Sequence, residues 1–84
     1  MAEKEIGKIS HFFPKINVAV IDLSDTLKVG DEIIIKGANT EVKQKVDSME
    51  IEHEKVETAK KGQSVGLKVS DRVREGNTVF KVEE

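Results

Sequence analysis

Apolar residues recur at every second position in short stretches of this chain, and glycines or polar clusters separate one stretch from the next. That period of two is the mark of strands with one face toward a core. Ile16, Val18 and Val20 alternate with Asn17, Ala19 and Ile21, which predicts a strand packing mainly through its even positions, its odd side partly covered. The run E-I-G-K-I-S-H-F-F before it predicts a partner strand, with Pro14-Lys15 in the turn that makes the two a hairpin. In L-K-V-G-D-E-I-I-I, residues 27–35, Gly30 can supply the positive φ of a tight turn and Asp31 can bond nearby backbone groups. Ile33 and Ile35 then face one way and Ile34 the other. Between Glu41 and Ile51 the apolar positions begin on even numbers, Val42 and Val46, and end on odd ones, Met49 and Ile51. This change of phase predicts a β-bulge near Asp47-Ser48.

The next segment, E-H-E-K-V-E-T-A-K-K-G, has Val56 and Ala59 three apart, which predicts a loop with one helical turn pinned to the core. S-V-G-L-K-V alternates through Val65, Leu67 and Val69. Gly66 lies on the opposite face, where a missing side chain permits a bulge or a close backbone approach. A last run, T-V-F-K-V, follows the turn E-G-N. One proline and six glycines punctuate these β-branched runs, so the expected fold is all-β: one domain over residues 1–84, a small closed six-stranded antiparallel barrel with few exposed edges.

Length and charge narrow the functions open to such a fold. A chain of 84 residues buries only about 60–65 % of its unfolded surface, enough for one small core. Fourteen basic residues against sixteen acidic ones give a net charge of −2 without a strongly basic half, so non-specific nucleic-acid binding, DNA included, is not expected. The absence of cysteine rules out disulfides and thiolate metal sites. The start M-A-E-K-E lacks the pattern of a signal peptide, and the apolar runs at 18–21 and 33–35 fall far short of a membrane span. A cytoplasmic chain is expected, with Met1 and the polar Glu83-Glu84 end as natural termini.

Candidate chemistry is sparse. His11 and His53 are the only imidazoles, and in an extended strand Glu52 and His53 would point to opposite faces rather than converge on one ion. No pair of carboxylates and no serine is singled out by its spacing for acid-base or nucleophilic work. The expectation is a chain that is not an enzyme and carries no cofactor or metal. Two clusters could instead bind a partner. In the first hairpin Lys8, His11 and Lys15 interleave with Phe12 and Phe13, and an exposed ring beside cations could stack on an unpaired RNA base. The plainer alternative makes both rings core, although adjacent side chains on a strand face opposite ways. The second cluster is Lys60, Lys61, Arg72 and Arg74. Arg72 and Arg74 would share one face, with Val73 turned inward, to grip phosphate or an acidic partner, but Asp71 and Glu75 flank them, and a solvated, salt-bridged face is the plainer alternative.

Three motifs in order, L-K-V-G-D-E-I-I-I at 27–35, V-D-S-M-E-I at 46–51 and A-K-K-G-Q-S-V-G-L at 59–67, with the opening I-G-K-I at 6–9, resemble domain two of elongation factor Tu and its relatives. A narrower likeness lies in I-G-K-I-S-H-F-F-P-K-I-N-V-A-V-I at 6–21 and V-R-E-G-N-T-V-F-K-V at 73–82. These are similar to the C-terminal barrel of collagenase-like peptidase-family proteins, several of which act in RNA modification. The phosphate-cradling G-x-x-x-x-G-K-[ST] loop is absent, so no GTP binding is expected. The resemblance implies a non-catalytic adaptor near translation or RNA modification, touching RNA, the ribosome or a protein; the alternative is an accessory subunit that docks to a separate peptidase-family catalytic chain. An exposed, contiguous Lys8, His11, Phe12 and Lys15 surface would favour the first role. An exposed apolar patch would favour the second.

Overall fold

A computed structural model describes residues 2–83; Met1 and Glu84 lie outside them. The described residues form ten strands and no helix: β1 Ala2–Phe13, β2 Val18–Leu23, β3 Leu27–Lys28, β4 Glu32–Lys36, β5 Glu41–Lys45, β6 Met49–Ile51, β7 Glu54–Val56, β8 Thr58–Ala59, β9 Ser64–Lys68 and β10 Thr78–Glu83. Eight of them make one antiparallel sheet in the order β5-β4-β10-β1-β2-β9-β6-β7, and β3 pairs with β8 in a separate ribbon. The all-β expectation holds.

The closed six-stranded barrel does not. The ladder ends at β5 on one side and β7 on the other, and no regular pairing joins them among the described residues. Irregular bonds approach the gap instead. Gly30 N–H donates to the Val46 carbonyl at 2.8 Å and Val46 N–H to the Asp31 carbonyl at 2.9 Å. The Gln44 amide bridges further along: its nitrogen donates to the Lys68 carbonyl at 2.8 Å and its oxygen accepts from Ser70 N–H at 2.7 Å. The sheet is open because the chain switches partner where a bulge was expected. β5 pairs with β4, the exposed Asp47-Ser48 intervenes, and β6 then pairs with β7 and β9. The helical turn is also absent: residues 54–59 form β7 and β8, broken at Glu57.

Strand β1 is the centre of the sheet and carries two bulges, between Glu5 and Gly7 against β10 and between Ile9 and His11 against β2. Each extra residue resets the alternation of faces. Ile6, Ile9 and Phe12 therefore all reach the core although they stand three apart. Gly7 is held to its size by the β2 backbone, since a Cβ there would lie 2.5 Å from the Asp22 carbonyl oxygen.

Strand β2 reverses the expected faces. Ala19, Ile21 and Leu23 are buried while Val18 and Val20 are only half-buried, and Ile16 is 58 % exposed in the turn before them. Pairing with β9 decides this: Ala19 is opposite Leu67 and Ile21 opposite Val65, so the inward Val65 and Leu67 take the odd positions inward with them. Gly30 has the expected positive φ of 97°, and Asp31 Oδ2 accepts from Lys28 N–H at 2.9 Å. Ile33 and Ile35 enter the core while Ile34 is buried on the outer side opposite Phe80, with Lys36 Nζ 5.1 Å from that ring centre. Near the ends of the sheet Lys4 pairs with Asp25 at 2.5 Å, and this bond holds the Asp25 carboxyl below its ordinary range and the Lys4 ammonium above its own.

Candidate functional site

The even side chains that β2 turns outward build an apolar groove. Phe13, Ile16, Val18 and Val20 line one side of a space of about 420 Å³, Gly66 lies beneath it, and Glu50, Glu52, His53 and Ser64 complete the lining. Phe13 is 44 % exposed; the described residues expose no other large hydrophobic side chains than Phe13, Ile16 and Val29. Two of those three meet in this one place, which sets it apart from the scattered apolar exposure of ordinary surfaces.

Local structure fixes each wall. Phe13 ends β1 opposite Val18, and the turn after it is tied by Ile16 N–H to the Phe13 carbonyl at 3.3 Å and by Val69 N–H to the Asn17 carbonyl at 2.8 Å. Asn17 takes φ 52° to reverse the chain, a conformation asparagine tolerates better than most residues. Across the groove, Glu52 and His53 are the central residues between β6 and β7 and both have positive φ, 52° and 67°. Left-handed backbone at both central positions suits the twist of a two-residue hairpin, though asparagine and glycine usually fill them. Gly66 keeps the floor low: it pairs with Val20 and Glu50 in regular register, without a bulge, and a Cβ added to it would be 3.6 Å from Val18 Cγ1.

The lining carries two carboxylates, Glu50 and Glu52, beside the His53 imidazole. At the far end the Ser64 hydroxyl donates to Asp22 at 2.6 Å. Among the described residues no three histidine, cysteine or carboxylate side chains converge as metal ligands.

The first predicted cluster is only partly assembled. His11 and Phe13 pack with ring centres 5.3 Å apart and planes tilted by 45°, on the exposed side. Phe12 packs against the core instead. Lys8 is opposite Asp22 on β2 and Thr78 on β10, and Lys15 is exposed in the turn at the other end of the hairpin, so neither lines the groove. The second cluster divides. Lys60 and Lys61 occupy the turn before β9, where Lys60 N–H donates to Gln63 at 2.7 Å. Arg72 and Arg74 line a different hollow of about 310 Å³ with Asn39, Thr40, Glu75 and Asn77, while Val73 is buried between them as expected. Sequence reasoning missed Val18 and Val20 as outward residues. Their register against β9, with Gly66 opposite Val20, decides this, and β2 itself carries no signal of it.

No protein-family model matches the chain. It is 47 % identical over 81 residues to an uncharacterized protease of Methanocaldococcus jannaschii, a match covering 95 % of this chain and 20 % of that protein. It is 35 % identical over 81 residues to a collagenase of Porphyromonas gingivalis, covering 94 % of this chain and 22 % of the collagenase. The chain thus spans about a fifth of the length of the curated relatives it matches. Among solved structures it is similar to the C-terminal domain of a Geobacillus thermoleovorans protein described as a U32 peptidase, with a TM-score of 0.89, 19 % identity and coverage of 95 % of this chain and 93 % of that one. The selenomethionine variant of that domain superposes with a TM-score of 0.86 over 90 % of this chain and 96 % of that one. At such identity the structural likeness speaks for the fold. The sequence matches themselves are to a protease and a collagenase, in line with the narrower of the two resemblances.

Proposed function

We propose that this chain is a non-catalytic docking module for a collagenase-like, U32-type peptidase body, and that the groove of Phe13, Ile16, Val18 and Val20 is its contact face. The observation that carries this reading is the groove itself: apolar side chains gathered on the outward face of a sheet whose inward face already fills the core. The segment makes up a fifth of its longer relatives, which supports an accessory part working beside a larger body. The reading includes a cytoplasmic setting and no chemistry of the module's own. Among the described residues no helix is long and apolar enough to cross a membrane.

The RNA-directed reading has less behind it. Phe12 is withdrawn into the core, Lys8 faces Asp22, and the groove wall presents two carboxylates to any phosphate backbone. The relatives found are peptidase and collagenase proteins and lend the elongation-factor likeness no support.

The test is co-purification of the tagged chain with the Methanocaldococcus protease from which the matching segment has been removed, with and without ribonuclease. A ribonuclease-resistant complex, lost when Phe13 and Ile16 are both changed to serine, is the expected result. Failure of the parent chain to hold the protease, or equal capture by parent and variant, would overturn the reading; RNA captured by the parent and lost on charge reversal of Lys8 and Lys15 would replace it.

A further inference from the structure

We infer that the groove receives an apolar segment carrying a lysine or arginine, whose aliphatic side chain sits over Gly66 while the cation meets Glu50 and Glu52. This rests on the docking reading and adds the chemistry of the occupant. The outer face is laid out in cross-strand rows. His11, Val20, Gly66 and Glu50 follow one another across β1, β2, β9 and β6, and Phe13, Val18 and Lys68 form the adjacent row. A side chain entering above Gly66 therefore meets Val20 on one side and the Glu50 carboxylate on the other. Glu52 reaches the same wall from the turn after β6.

Neither carboxylate is committed elsewhere: among the described residues Glu50 and Glu52 make no ion pair. Lys55 stands directly opposite Glu50 in the β6–β7 pairing and Lys68 lies in the adjacent row with Val18, yet neither forms an ion pair with Glu50 or Glu52 and neither lines the groove. An apolar floor with two unpaired carboxylates on one wall is complementary to an apolar side chain with a cation beside it. Two other occupants fit worse. A nucleic acid would bring phosphates against those carboxylates. A second copy related by a two-fold axis through the groove would set Glu50 and Glu52 against their own counterparts.

The experiment follows backbone amide resonances of the intact chain during titration with three twelve-residue peptides that share one aliphatic centre and differ in flanking lysine, serine or glutamate. The expected result is movement of the Val18, Val20, Gly66 and Glu50 amides, with the lysine peptide binding about fivefold tighter than the serine peptide, as one or two exposed ion pairs provide. Added salt should narrow that margin, and the Glu50→Gln/Glu52→Gln variant should abolish it. Gly66→Leu should block all three peptides while the spectrum stays dispersed. Equal binding of the three, or shifts that map away from the groove, would overturn the inference even if the chain still co-purifies with the peptidase body. A lysine preference without capture of that body would instead leave the inference intact and remove the docking reading beneath it.

Discussion

Gly66 stands opposite Val20, and a Cβ added to it would lie 3.6 Å from Val18 Cγ1 and 3.8 Å from the Glu50 carbonyl oxygen, both ordinary contacts. Glycine is not required there by packing or by a positive φ. Gly66→Ala should therefore raise stability by about 0.5–1 kcal/mol, the usual penalty of glycine within a strand. Gly7→Ala should do the reverse, lowering it by about 1–3 kcal/mol because the Cβ meets β2 backbone. Urea unfolding with midpoints moving in opposite directions and slopes unchanged checks the pair. Stabilisation by Gly66→Ala together with weaker peptide binding would identify the gap as kept for a ligand.

Phe12 and Phe13 are neighbours with opposite duties. Phe12→Ala should cost about 2–3 kcal/mol, somewhat below the figure for a wholly buried ring. Phe13→Ala should stay within about 0.5 kcal/mol in the free chain, as for surface substitutions generally, and should appear only when a partner is bound. Thermal melts of the two variants, with and without the peptidase body, separate these effects.

Gln44 joins β5 to the segment after β9 through both ends of its amide. Gln44→Ala should cost about 1 kcal/mol, the net worth of one or two exposed hydrogen bonds. Hydrogen exchange should show the loss locally, with the Ser70 amide exchanging faster and the β1 amides unchanged.

The Lys4–Asp25 pair gives stability a defined dependence on pH. Asp25 has its carboxyl lowered from 3.8, first by the Lys4 hydrogen bond and then by Thr26 N–H. Its contribution is thus present above the unfolded value and is lost as pH falls through the lowered folded value. Lys4 is raised from 10.5 by the same bond, so its contribution is present below 10.5 and is lost as pH rises through the folded value. Asp25→Asn should flatten both limbs of a stability profile; a profile unchanged in that variant would show the pair to be inert. Both groups are exposed, so the effect should shrink in high salt.

Much of the secondary structure was legible because local rules and tertiary packing agree there. The Pro14-Lys15 turn, Gly30 with Asp31, the inward Val65, Leu67 and Val69, and the final strand all follow from turn chemistry and alternation. The failures share one cause. Bulges in β1 break the period of two, so Ile6, Ile9 and Phe12 look out of phase although they share the core. Strand β2 is apolar on both faces, and nothing within it says which side turns inward. Only pairing with β9, remote in sequence, decides that, and with it whether Val18 and Val20 belong to the core or to a binding face. The charged candidates were visible as residues, but the register that separates Lys8 from Phe13 and Lys60 from Arg72 was not.

Ala2 and Glu83 are paired at one end of the β1–β10 ladder, while the Phe13 end of β1 lies eleven residues further on, a path of up to about 36 Å along a strand. The two ends of the described chain therefore lie side by side, with the Phe13 and Ile16 end of the groove at the other end of β1 and its Ser64 end level with the middle of that strand. A polypeptide attached at either end would leave Phe13 and Ile16 uncovered by its first residues.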